Sequence, residues 1–84
     1  NMKITLKLYG GLEKYFPEKA SNNQAVIEID DSSDVEQVLN NFGVSPHLCR
    51  LVMVNGVHIM PEERTKKILA ESDSLAVWPP SRGE

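Results

Sequence analysis

Residues 33–44, SDVEQVLNNFGV, contain the clearest helix pattern in the chain. Its apolar residues recur at helical spacing and form one stripe, made of Val35, Val38, Leu39 and Phe42. Ser33 and Glu36 have the spacing of a capping box, in which Ser33 accepts a hydrogen bond from the third helical N–H group. Gly43 suits the left-handed conformation that ends many helices, and Val44 can make the accompanying apolar contact. The pattern predicts one amphipathic helix with a single buried face.

Two alternating segments precede this helix and predict an antiparallel hairpin. They are KITLKLY (residues 3–9) and AVIEID (residues 25–30). One face of the pair would consist of Ile4, Leu6, Leu8, Ala25, Ile27 and Ile29. Between the strands, Gly10-Gly11 ends the first one, LEKYF fits one helical turn, and PEKASNNQ is polar and turn-rich.

The segment after the helix, LVMVNGVHIM (residues 51–60), predicts a second hairpin. Asn55-Gly56 is a strong turn signal because both residue types tolerate positive φ. Pairing across this turn assigns the side chains to two faces of the hairpin. One face has Val52, Val54, Val57 and Ile59. The other has Leu51, Met53, His58 and Met60.

The last third of the chain predicts a short helix or turn and then a final strand. The polar segment EERTKKILAESD has Ile68 and Leu69 as its apolar anchor. In SLAVWP (residues 74–79), Leu75 and Val77 share one face, and Ala76 and Trp78 share the other. The element order is therefore β-β-α-β-β-(short helix)-β.

This order predicts an α+β fold with a mixed sheet of about five strands and one main helix packed across one face. If the first and last strands pair as central neighbours, the arrangement is the ubiquitin-like β-grasp. Residues 1–84 then form a single domain, in which residues 79–84 are a flexible C-terminal tail.

Composition excludes several functional classes. Nine basic and twelve acidic side chains give a net charge of −3, without a basic face, which disfavours binding of RNA or other nucleic acids. A single cysteine, Cys49, can neither form an internal disulfide nor complete a zinc site, which favours a cytoplasmic location. The longest aliphatic stretch, Leu51–Val54, is too short to span a bilayer, and no secretory leader is expected.

Several short motifs along the whole chain resemble the MoaD/ThiS family of small β-grasp sulfur carriers, in particular the molybdopterin synthase small subunit. They are the opening KITLKLYG, an L-x-x-Y turn from Leu12 to Tyr15, and Val54-Asn55-Gly56. The closing stretch of Leu69, Asp73, Leu75-Ala76-Val77-Trp78 and Pro79-Pro80 is the most specific of them.

The resemblance implies that the C-terminal carboxylate is the reacting group and that the domain is not itself an enzyme. An ATP-dependent adenylating (E1-like) enzyme would activate this carboxylate, which then becomes a thiocarboxylate and donates sulfur in molybdenum cofactor biosynthesis. A larger synthase subunit would be the second partner. The carrier tail would consist of Pro79, Pro80, Ser81, Arg82, Gly83 and Glu84, and the domain would bind no cofactor of its own. The prolines would project the tail away from the sheet.

The sequence departs from the family pattern at its last position, because the expected Gly-Gly falls on Gly83-Glu84. Three interpretations stay open. The chain could be a carrier that tolerates or trims Glu84, a carrier whose partner has a different channel, or a β-grasp interaction module that has lost the chemistry.

The open face of the predicted sheet is the candidate partner surface. Alternation places Trp78 and Met53 on this face, together with His58 and Met60. In the family the aromatic residue before Pro-Pro contacts the partner, and the resemblance gives this role to Trp78. The sequence thus predicts a partner surface next to the tail.

Overall fold

A computed structural model describes residues 1–18 and 20–81 of the chain. The described residues form β1 (Met2–Leu8), β2 (Gln24–Ile29), α1 (Val35–Asn41), β3 (Leu51–Val54), β4 (Val57–His58) and β5 (Ser74–Trp78). Short 3-10 helices lie in the connections, at Leu12–Tyr15, Pro46–Leu48 and Pro61–Glu63. The predicted order of strands and helices is confirmed.

The strands form one mixed sheet in the order β2-β1-β5-β3-β4. β1 pairs antiparallel with β2 and parallel with β5, so that Leu6 lies beside Leu75 and Leu8 beside Val77. β3 pairs antiparallel with both β5 and β4. The first and last strands are central neighbours, and the fold is the ubiquitin-like β-grasp.

The core lies between one face of this sheet and α1. The apolar stripe of the helix is buried at Val35, Val38 and Leu39, and the inward residues of the central strands are 0–1% exposed. These strand residues are Ile4, Leu6, Leu8, Leu75 and Val77. Within the described residues, no helix has the length and apolar character needed to cross a membrane.

The C-terminus of α1 follows the prediction, whereas its N-terminus differs by one residue. Gly43 has φ +80°, and the N–H of Val44 donates to the carbonyl of Leu39 (3.0 Å), which is the Schellman arrangement. At the other end, Asp34 is the cap, not Ser33. Its Oδ1 accepts from the N–H of Gln37 (2.8 Å), and its own N–H donates to Gln37 Oε1 (3.0 Å).

Pairing with a distant segment explains this shift of the cap. The carbonyl of Ser33 accepts from the N–H of Leu69 (2.9 Å), and the N–H of Val35 donates to the carbonyl of Lys67 (3.1 Å). Residues 33–35 are therefore held in an extended ladder, and Ser33 itself is buried. Helical geometry consequently begins after Asp34, whose carboxylate is free to cap it.

Three further expectations, about one turn and two apolar residues, meet different outcomes. The Asn55-Gly56 turn is confirmed, with φ values of 52° and 81°. Ile68 is 51% exposed and does not anchor its segment, because it alternates with the buried Leu69 in the extended ladder beside Asp34. Val57, although on the predicted face, is 64% exposed because β4 is a short strand at the edge of the sheet.

We expect Asp34→Ala to lower the free energy of unfolding by about 1 kcal/mol, because it leaves the first helical N–H groups without a side-chain acceptor. Urea denaturation of the full chain measures this loss. Ser33→Ala is the matched control and should cost less, because Asp34 makes the cap hydrogen bond. A larger loss for Ser33→Ala than for Asp34→Ala would contradict this assignment of the cap.

Candidate functional site

The main chain fixes where the C-terminal segment leaves the sheet. The N–H of Tyr9 donates to the carbonyl of Val77 (3.1 Å), which continues the parallel β1–β5 ladder beyond the end of β1. On the opposite side, the N–H of Arg50 donates to the carbonyl of Trp78 (2.9 Å). The end of β5 is therefore held from both sides, at Val77 by Tyr9 and at Trp78 by Arg50, and the tail begins at Pro79.

Gly10 allows Pro79 to pack against the end of the first strand. A Cβ atom built on Gly10 would lie 2.8 Å from both Cγ and Cδ of Pro79, which is too close for carbon atoms. Gly10 also has φ +63°, a conformation that other residues rarely adopt. The sequence identified Gly10 only as a strand end, because its contact with Pro79 follows from the parallel register of β1 and β5.

An aromatic stack lies beside this contact. The rings of Tyr9 and Trp78 are 4.8 Å apart between centroids and lie within 9° of parallel. Both side chains are half-buried, so the stack forms part of the surface of the protein. Sequence reasoning named Trp78 but did not include Tyr9, which could have been found only from the pairing of the two strands.

The described part of the predicted carrier tail is short. Pro79 and Pro80 are half-buried, and Ser81 is exposed. Arg82, Gly83 and Glu84 lie outside the described residues, so the assignment of the reacting end to Gly83-Glu84 stays a prediction.

The open face of the sheet brings together the residues predicted to bind a partner. Trp78 lies opposite Leu51, and Ala76 lies opposite Met53, whose other neighbour is His58. Met60 follows two residues after His58 and is 44% exposed. We call the half-buried and buried apolar members of this group, Tyr9, Leu51, Met53, Ala76 and Trp78, the open-face cluster.

Side chains also fix the start of β5 and therefore its register. Asn55 Nδ2 donates to Asp73 Oδ1 (2.8 Å), and Asn55 Oδ1 accepts from the N–H of Ser74 (2.8 Å). Asp73 Oδ2 accepts from the N–H of Ala70 (2.8 Å). Asn55, for which the sequence indicated only a turn, thus connects the β3–β4 hairpin to the strand that carries Trp78.

Arg64 and Cys49 are buried on the helix side of the sheet. The Arg64 guanidinium donates through Nη1 to the carbonyl of Cys49 (2.9 Å) and ties two connecting segments together. Arg64 is 6% exposed, whereas the next three residues, Thr65, Lys66 and Lys67, are exposed. Burial raises the pKa of the Cys49 thiol, and the positive charge of Arg64 only partly opposes this rise.

In residues 1–18 and 20–81, no three His, Cys, Asp or Glu side chains come together in a group that could hold a metal ion. The features that converge near the tail are instead main-chain hydrogen bonds, the Gly10–Pro79 contact and the open-face cluster. Such an arrangement can position a main-chain segment beside an apolar surface.

Solved structures of several small proteins have the same fold as this chain. A Haloferax volcanii protein, HVO 2177, has a TM-score of 0.74 at 20% identity, over 99% of this chain and 87% of that one. SAMP1 from Haloferax volcanii has a TM-score of 0.65 at 21% identity, over 98% and 99%. A Pyrococcus furiosus protein assigned as molybdopterin converting factor subunit 1 has a TM-score of 0.67 at 15% identity, over 95% and 99%.

No protein-family model matches the chain, and no curated protein matches it significantly in sequence. At 15–21% identity, the structural likenesses establish the fold. The resemblance predicted from the sequence is thus confirmed at the level of the β-grasp fold that these small proteins share.

We expect Gly10→Ala to displace Pro79 and disturb the Tyr9–Trp78 stack, because the added methyl group would overlap the proline ring. Gly11→Ala is the matched control, since Gly11 also has positive φ (+96°) but has open space around its Cα. Both variants should lose about 1 kcal/mol of stability from backbone strain. Only Gly10→Ala should also shift the Trp78 indole resonance and fluorescence. Equal spectral changes in both variants would contradict the proposed packing.

Cys49 should react slowly with thiol reagents in the folded protein, because it is 6% exposed and its raised pKa keeps the thiol neutral at pH 7. The rate of labelling by a chromogenic disulfide, compared between native and urea-unfolded chain, measures this protection. We expect the native rate to be lower by about 100-fold or more, as for a group that reacts only through opening of the structure. Comparable rates in the two states would show that Cys49 is accessible.

Proposed function

We propose that this protein is a small ubiquitin-like sulfur carrier or protein modifier, which reacts through its C-terminal main-chain carboxylate. The observation that carries this proposal is the geometry at the end of β5. The strand ends in Trp78, whose ring belongs to an apolar cluster, and Pro79 then packs on Gly10. The tail therefore begins at a fixed position, and this position lies next to a surface on which a partner can dock.

The shared fold with SAMP1 and with the molybdopterin converting factor subunit supports this proposal. In the chemistry that we propose, a carboxylate oxygen attacks the α-phosphorus of ATP, which forms an acyl-adenylate and releases pyrophosphate. Sulfur at the oxidation level of sulfide then displaces AMP and leaves a thiocarboxylate. An E1-like enzyme would catalyse the activation, and this domain would contribute the reacting group and the docking surface.

The finer proposal is that the thiocarboxylate supplies sulfur to molybdenum cofactor biosynthesis, with a larger synthase subunit as the second partner. The closing motif Leu75-Ala76-Val77-Trp78-Pro79-Pro80 supports this branch of the family. We expect both partners to use the open-face cluster, because a surface beside the tail must be contacted whenever the tail enters an active site. Met53, His58 and Met60 extend this surface toward β4.

A second candidate function is a β-grasp interaction module without carrier chemistry. The continuous open-face cluster favours it independently of the tail, since half-buried aromatic and methionine side chains are suitable for binding another protein. In this alternative, partner binding depends on Trp78 and does not depend on the residues after Ser81.

Reconstitution with the activating enzyme of the same cell and ATP distinguishes the two functions. A carrier should release pyrophosphate and form an acyl-adenylate on the full chain, and Gly83→Ala should reduce both. Trp78→Ala should weaken association with the enzyme by roughly tenfold or more, because truncation of a central aromatic contact is costly. Val57→Thr is the control, since Val57 is 64% exposed but lies opposite the core residue Val54, on the face away from the open-face cluster.

Intact mass measurement of the protein from its own cells completes this test. A mass gain that corresponds to one oxygen exchanged for sulfur would support the carrier and identify the reacting residue. An unmodified chain that also forms no adenylate in the reconstitution would contradict the carrier proposal. Loss of partner binding in Trp78→Ala would then favour the interaction module.

A further inference from the structure

β2 (Gln24–Ile29) is an edge strand that lacks the usual protection against pairing with another chain. The other edge strand, β4, has only 2 residues, whereas β2 has 6. Edge strands are commonly blocked by lysine, proline or bulges, but QAVIEI contains neither lysine nor proline, and its register with β1 is continuous. In its middle, Val26 is 68% exposed. The outer side of β2 is therefore open to one more strand.

The outer side of β2 also offers main-chain hydrogen-bonding groups. The N–H of Leu8 donates to the carbonyl of Asn23 (3.0 Å), which fixes the alternation of the β1–β2 ladder. By this alternation, the N–H and C=O groups of Val26 and Glu28 point away from β1. These groups have no hydrogen-bond partner among residues 1–18 and 20–81.

The side chains on the open face of β2 form a row that is complementary to itself. Gln24, Val26 and Glu28 lie on this face, because the residues between them face the core. Glu28 lies opposite Lys3 on β1, so its negative charge is partly offset within its own chain. An antiparallel copy of the same row can therefore be matched to it without two carboxylates facing each other.

The register centred on Val26 achieves this match. The two Val26 side chains meet at the two-fold axis, and each Gln24 amide can donate to the Glu28 carboxylate of the other copy. The two Glu28 side chains are then about 14 Å apart, beyond the Debye length of about 10 Å at 0.1 M salt. With Val26 opposite Glu28 instead, the carboxylates would be diagonal neighbours at about 7–8 Å.

The main chain can form four hydrogen bonds in this register. Two of them join the Val26 residues of the two copies, as in a hydrogen-bonded antiparallel pair. In each of the other two, the N–H of Glu28 donates to the Gln24 carbonyl of the other copy. The N–H of Gln24 is not needed, since it donates to the carbonyl of Ser21 within its own chain (3.1 Å).

Pairing would also cover apolar surface on the helix side of the sheet. A groove of about 340 Å³ runs along β2 there, and its walls include Pro17, Ile27 and Phe42. Pro17 is exposed and Phe42 is half-buried. The grooves of two paired copies adjoin, so each copy shields apolar walls of the other from water. Glu18, which also lines the groove, is exposed and can keep its carboxylate in water at the rim.

We propose that the β2 edge is a homodimer contact, in which the β2 strands of two copies pair antiparallel about Val26. The result is one sheet of ten strands, five from each copy. The two-fold axis is perpendicular to this sheet, so both open-face clusters lie on the same side. A partner with two docking sites could then engage both copies at once and gain avidity. The contact is small, so the dimer is weak and reversible, and it does not rest on the carrier chemistry.

Dilution of the full ¹⁵N-labelled chain from millimolar to micromolar concentration tests the proposal. At high concentration the amide resonances of Val26 and Glu28 should shift, their hydrogen exchange should slow, and translational diffusion should decrease. In a mixture of labelled and unlabelled chains, filtered NOE spectra should show contact between the Val26 methyl groups of two copies. Added salt should strengthen association, because each copy carries a net charge of −3.

Variants make the assignment specific to this edge. Val26→Lys should abolish the dimer, because it places two ammonium groups together at the two-fold axis. Val57→Lys is the matched control, since Val57 is a similarly exposed valine (64%) on the other edge strand, and it should leave the dimer intact. Gln24→Glu should weaken association about tenfold, because it sets carboxylates opposite Glu28 at two places. Thr65→Glu adds the same charge at an exposed site outside β2 and should have little effect.

Three outcomes would overturn the proposal. The first is the absence of any concentration dependence up to millimolar protein. The second is a dimer that persists in Val26→Lys. The third is a set of intermolecular contacts from Trp78 and Met53 instead of Val26, which would assign association to the open-face cluster.

Discussion

The parallel pairing of β1 with β5 is the interaction on which the rest of the structure depends. It places Leu6 beside Leu75 and Leu8 beside Val77, and these residues are 0% exposed at the centre of the core. The main chain reinforces the register, since the N–H of Thr5 donates to the carbonyl of Asp73 (2.9 Å). The paired strands lie near opposite ends of the sequence, so their contact brings together the two ends of the described chain.

The same pairing determines the candidate functional site. Extension of the ladder past Leu8 brings Tyr9 next to Trp78 and Gly10 next to Pro79. The tail therefore leaves the sheet from a point that is held by the end of the β1–β5 ladder. If the tail presents its carboxylate to two different partners, a fixed starting point favours the affinity for both. Less conformational freedom is then lost when the tail docks.

The sheet offers two separate surfaces for binding. The open-face cluster lies over β5 and β3, beside the tail, and is largely aromatic and aliphatic. The β2 edge lies on the far side of β1, where the main-chain groups of Val26 and Glu28 face away from the sheet. Since the two surfaces differ in chemistry and do not overlap, a partner that engages the tail would leave the β2 edge accessible.

Local patterns in the sequence determined the strands, the helix stripe, the Gly43 end of α1 and the Asn55-Gly56 turn, because each depends on residues a few positions apart. The alternation of the last strand likewise placed Trp78 on the open face, and that of the segment 51–60 placed Met53 there. The tertiary structure decided what depends on distant segments. Pairing of residues 33–35 with 67–69 moved the helix cap to Asp34 and exposed Ile68, and packing of connecting segments buried Arg64. The contact of Gly10 with Pro79 and the outward groups of Val26 and Glu28 follow from strand register, which the periodicity of a single strand does not contain.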